Sequence, residues 1–109
     1  MYIHKYIPHN QGIDQKHIIE IQLDSFADRK YRKAKVLYDF VEKKALSDPE
    51  MFYVLLDEVQ MLEDFVDVLN GFLHFQNLDI YVTGSNAKFL SSDIITEFRG
   101  RGVQIHLVP

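Results

Sequence analysis

The chain has 109 residues, 47% of them hydrophobic, with no cysteine and a formal net charge of −4. Such a chain folds as one compact domain rather than staying disordered, and its acidic balance argues against a dedicated nucleic-acid module, which needs a basic excess to neutralise phosphates. Without cysteine there is no disulfide framework and no thiolate metal site, so a cytoplasmic location is the default expectation.

No apolar run approaches the roughly 18 residues that a membrane span requires, and the first residues lack the apolar stretch of a signal peptide, so a soluble protein is expected. Residues 1–12, with Pro8 and the turn-forming Asn10, Gln11 and Gly12, read as a loose amino-terminal arm. Residues 17–23 read as a strand: Ile18, Ile19 and Ile21 are β-branched and alternate with Glu20 and Gln22, as suits a sheet margin. Tyr31, Ala34, Leu37, Tyr38, Val41 and Ala45 recur at helical spacing, and the run stops near Pro49. Phe52, Tyr53, Val54, Leu55 and Leu56 then form an uninterrupted apolar run, the signature of a strand buried on both faces.

A second helical stripe follows through Leu62, Phe65, Val66, Leu69, Phe72 and Leu73. Residues 79–83 predict a third strand, residues 91–98 a short helix capped by Ser91, Ser92 and Asp93, and residues 103–108 a last strand. The order is β-α-β-α-β-α-β. It predicts an α/β fold in which a parallel sheet of about four strands carries helices on both faces, connected by right-handed crossovers.

Three constellations bear on function. Asp57 and Glu58 close the buried strand at residues 52–56, and ligands of open α/β sheets bind at the carboxyl ends of strands. In P-loop nucleoside-triphosphate hydrolases a strand of this pattern is the Walker B strand, whose aspartate holds magnesium while an adjacent acidic residue positions water. The plainer alternative is that both carboxylates open a helix, where the macrodipole favours negative charge. The second constellation is Thr83, Gly84, Ser85 and Asn86 after the next strand, small polar groups suited to a phosphate or its water, or simply an ordinary turn into a helix. The third is Arg99, Gly100, Arg101 and Gly102, arginines able to meet phosphate oxygens, or a solvated basic turn. The basic residues Arg29, Lys30, Arg32, Lys33 and Lys35 read as a solvated helix face. The five histidines show no metal-ligand spacing.

In this order and spacing the three constellations resemble the ATPase domain of the bacterial and archaeal AAA-superfamily P-loop proteins that carry an additional carboxy-terminal DUF4143 region. Residues 53–60, YVLLDEVQ, look like that family's Walker B strand, residues 80–90, IYVTGSNAKFL, like its sensor-1 strand and helix, and residues 91–102, SSDIITEFRGRG, like its arginine-bearing segment. The resemblance covers residues 13–109 and implies a partial ATPase domain spanning 1–109. It implies Asp57 as the magnesium-associated aspartate, acting through water, and Glu58 as the residue polarising the attacking water. Ser85 or Asn86 becomes the sensor near the γ-phosphate, with Thr83 beside them in phosphate sensing, and Arg99 and Arg101 become candidates for phosphate contact. The implied cofactor is Mg2+ with ATP.

None of the five glycines begins the phosphate loop G-x-x-x-x-G-K-[ST]. The chain therefore reads as an incomplete P-loop core, inactive alone. In the family's fold the strand that precedes the phosphate loop lies between the sensor strand and the last strand. Two outcomes are expected: residues 103–108 pair directly with the sensor strand, or a second chain fills the gap to give a homo-oligomer through the incomplete sheet. Two other functions fit parts of the pattern. A receiver-like phosphoacceptor module would use Asp57 and Thr83, although no lysine closes the last strand; a non-catalytic interaction domain derived from an ATPase needs only the core.

Overall fold

Phe52, Val54, Leu55 and Leu56 are all buried, so the strand that contains them, β2 (Phe52–Asp57), is covered on both faces, as an interior strand of a layered α/β sheet must be. The computed structural model describes residues 15–85 and 105–107. Around β2 lie β1 (Ile18–Gln22), β3 (Leu78–Val82) and β4 (Ile105–Leu107). The sheet has four strands in the order β1-β2-β3-β4, and every neighbouring pair is parallel. The predicted α/β parallel sheet is thus the one observed.

The last strand pairs directly with the sensor-like strand, in the register Ile80 to Ile105, Tyr81 to His106 and Val82 to Leu107. That is the first of the two expected outcomes. β4 stands beside β3 and leaves no open slot between them.

Register explains the core. Ile19, Val54 and Ile80 lie abreast, as do Ile21, Leu56 and Val82, and because strand side chains alternate between faces, these rows all point to one side. On that side they meet Leu37, Val41 and Ala45 of α1 (Ala34–Ser47) and Phe65, Val68, Leu69 and Phe72 of α2 (Phe65–Phe72). Burying each of these large side chains contributes roughly 1.5–3 kcal/mol. On the other face Leu55 and Tyr81 are also buried, so that face is covered too. The third predicted helix, at residues 91–98, lies outside the described residues.

Element boundaries shift from the periodicity for local reasons. The helical stripe beginning at Tyr31 is broken because Lys33 is extended, at φ −79° and ψ 124°, so a 3-10 turn at Arg29–Arg32 precedes α1. Leu62 belongs to the core but not to α2, because Asp64 adopts the left-handed conformation, φ 51°, and restarts the helix after it. At the opposite end of α1 the Asn77 amide donates to the carbonyls of Ala45, Asp48 and Glu50, at 2.9, 2.9 and 3.2 Å. It satisfies carbonyls that the helix end leaves without a partner and ties that end to β3. His17, buried beneath this junction, approaches Asp48 Oδ2 at 2.9 Å and packs on Phe52.

Candidate functional site

Because all four strands run in parallel, the ends of β2 and β3 fall on one edge of the sheet. Backbone bonds fasten them together: Thr83 N–H donates to Leu56 O at 3.1 Å, and Val59 N–H donates to Thr83 O at 2.8 Å. The side chain of Thr83, itself buried, adds two more. Its hydroxyl accepts from the Glu58 N–H at 3.0 Å and donates to Asp57 Oδ1. A hydroxyl is the one group of this size that can do both at once. Asp57 and Thr83, which the sequence singled out separately, therefore form a direct pair.

Glu58 turns the chain away from the sheet in the left-handed region, φ 59° and ψ 56°. For a residue with a Cβ that conformation costs roughly 1–2 kcal/mol, and such outliers persist where the surroundings over-determine them. Here the surroundings are three donors converging on one carboxylate oxygen. Glu58 Oε1 accepts from Gln60 Nε2 at 2.7 Å, from Ser85 Oγ at 2.8 Å and from Ser85 N–H at 3.0 Å. Hydrogen bonds from Gln60 first, then from the Ser85 hydroxyl and backbone, hold the Glu58 carboxyl below the usual glutamate range. Among the described residues Oε2 makes no hydrogen bond, so it is the oxygen left for a water or a ligand.

Gln60 is the site residue that sequence reasoning missed. Its position two residues beyond Glu58 was the available signal, but only the 3-10 turn at Val59–Met61 folds it back onto the carboxylate. Thr83 and Ser85 both lie against the acidic pair. Asn86, Arg99 and Arg101 lie outside the described residues. Chemically, among the described residues the edge presents an ionised carboxylate with one oxygen not hydrogen-bonded and a second carboxylate anchored by a hydroxyl. Among the described residues no group of three or more histidine or acidic side chains is placed to chelate a metal. Oxygen donors of this kind suit a hard cation such as magnesium, which retains several waters and takes only one or two protein carboxylates.

A family model, that of the AAA domain, matches residues 1–109. The chain belongs to the AAA domain family. An AAA domain is an ATPase-like module, and the parallel α/β sheet described above is consistent with such a module. Among curated proteins, this AAA domain is similar to an uncharacterized protein of Haemophilus influenzae, with 33% identity over 99 residues, covering 91% of this chain and 25% of that protein. It is also similar to an uncharacterized protein of Methanocaldococcus jannaschii, with 33% identity over 67 residues, covering 62% of this chain and 15% of that one. The AAA domain thus spans a quarter or less of the curated relatives it matches. No solved structure matches it. Among the described residues no helix is long and apolar enough to cross a membrane.

Proposed function

We propose that this AAA domain is the part of an ATP-hydrolysing machine that carries the Walker B strand, β2, and the sensor-1 strand, β3. Asp57 holds the magnesium of Mg-ATP through its water shell, and Glu58 polarises the attacking water. The observation that carries this reading is the coupling of the two strand ends, in which Thr83 bonds to Asp57 and Ser85 to Glu58. Phosphoryl transfer to water relies on positioning and electrostatics more than on covalent chemistry, and these bonds position both carboxylates. The anchored oxygen of Glu58 sets the carboxylate plane, and Oε2 accepts the hydrogen bond and then the proton of water as it attacks. Thr83 keeps Asp57 from turning toward Glu58. Magnesium, when bound, neutralises charge on the phosphate oxygens.

Ser85 and Asn86 serve as sensors of the γ-phosphate, and Arg99 and Arg101 as phosphate contacts. With no phosphate-loop motif among its glycines, the chain binds Mg-ATP weakly and does not turn it over. Hydrolysis belongs to an assembly in which such a loop completes the site.

Calorimetric titration of Mg-ATP into the chain and into Asp57→Ala tests this. The expected result is heat from the wild type that disappears in Asp57→Ala and when EDTA removes magnesium. Binding that Asp57→Ala leaves unchanged overturns the role of Asp57, and absence of heat from the wild type removes nucleotide binding from this chain.

A further inference from the structure

α1 and α2 leave a groove of about 450 Å3 between them, floored by Ala34, Tyr38 and Val68. The floor is built rather than incidental. Gly71 of α2 lies where an added Cβ would stand 2.7 Å from Tyr38 Cε1, so the absence of that carbon lets the ring lie close against the helix, stacked on Phe72 with centroids 5.5 Å apart and planes 6° apart. Along the rim stand Asp39, Glu42, Asp64 and Asp67. Asp39 is engaged by Lys35 at 3.1 Å; Glu42, Asp64 and Asp67 have no ion-pair partner among the described residues. Burial and the charges of Glu42 and Asp39 push the Tyr38 hydroxyl up from its ordinary pKa. Lys35 also lines the groove, engaged with Asp39; an aromatic floor whose rim carries three further carboxylates suits a cation carried next to an apolar group.

The same chain presents that group. Phe26 is 81% exposed, a large apolar side chain left in water, and the Arg29 guanidinium lies over its ring, 5.1 Å from the centroid. Lys30 follows, also exposed. In a chain of net charge −4, this basic segment is the local exception. This lobe, residues 26–30, adjoins the groove: the 3-10 turn at Arg29–Arg32 ends two residues before Ala34, and Arg32 O accepts from the Glu63 N–H at 2.8 Å, beside Asp64.

We infer that a second copy of this chain docks here, its Phe26, Arg29 and Lys30 seated in the groove between α1 and α2. Because lobe and groove are neighbours, a two-fold axis places each lobe opposite the other copy's groove, an isologous contact that closes at a dimer. Charge complementarity favours this occupant, since both halves of the match are on one surface.

Sedimentation velocity of the 109-residue chain tests it, over a range of protein concentration at low ionic strength and again near 1 M salt, where screening shortens to about 3 Å. The expected result is a salt-sensitive dimer. Phe26→Ser, Glu42→Lys with Asp67→Lys, and Arg29→Glu with Lys30→Glu each weaken it about tenfold or more, and mixing the two charge-reversed chains restores association. All these residues lie outside the core, and circular dichroism confirms that each variant folds. A wild-type chain that stays monomeric overturns the inference, as does a dimer indifferent to Phe26→Ser and to both reversals, which would assign association to another surface. A monomer whose groove instead binds a free arginine-rich peptide also overturns it and gives the groove to a different protein.

Discussion

Replacing Thr83 by valine keeps the side chain's shape and deletes one hydroxyl that makes two bonds. The bond to the Glu58 N–H, at 3.0 Å, is neutral and contributes about 1 kcal/mol; the bond to the Asp57 carboxylate is charge-assisted and contributes about 1.5–3 kcal/mol when fully desolvated. Thr83 is only 9% exposed, but Asp57 and Glu58 are half-buried, so water recovers part of the loss. The expected cost is about 2 kcal/mol, or a fall in Tm of roughly 10 °C. Thr83→Ser keeps the hydroxyl and loses one methyl, costing under about 1 kcal/mol. Urea denaturation of the three chains, with an unchanged m-value, measures the difference. If valine proves as mild as serine, the hydroxyl does not join the two strand ends, and the coupling on which the proposed site rests is refuted.

Three other perturbations follow from the same structure. Glu58→Ala and Glu58→Gly both remove the carboxylate, but at φ 59° glycine is the unstrained choice, so Glu58→Gly should be more stable than Glu58→Ala by about 1 kcal/mol in thermal melts. Gly71→Ala gains about 1 kcal/mol of helix propensity, yet its Cβ would meet Tyr38 Cε1 at 2.7 Å and Cδ1 at 3.3 Å. Overpacking of about 1–3 kcal/mol makes the variant less stable than the wild type, and in a Tyr38→Ala background the same change should become stabilising. Asp48 is held below the usual aspartate range by the Glu50 N–H and then by His17. Its folded pKa lies below the unfolded one, so its contribution is full above the unfolded value, about 4, and is lost as pH falls through the folded value. Stability measured by denaturation from neutral to acid pH should fall less steeply in Asp48→Asn than in the wild type.

Patterning in the chain was enough to determine the order of the described strands and α-helices, though not of the 3-10 turns between them, because the periods of strand and helix differ and β2 is apolar at every interior position. It also located the strand-end carboxylates and the small polar residues that answer them. What it left open was set by contacts between residues distant in the chain. Periodicity continues through Lys33 and Leu62, but the extended backbone at Lys33 and the left-handed turn at Asp64 let the chain place Leu62 and α2 against one core. The place of Gln60 two residues beyond Glu58 did not by itself mark it as a site residue, since its contact with Glu58 exists only once the 3-10 turn at Val59–Met61 forms. Residue order left two partners open for the last strand, whereas the observed register seats β4 on β3. Local sequence determines which backbone form a segment takes. Only the packed sheet decides which strand ends meet, because Asp57 and Thr83 are 26 residues apart and become neighbours through the parallel pairing of β2 with β3.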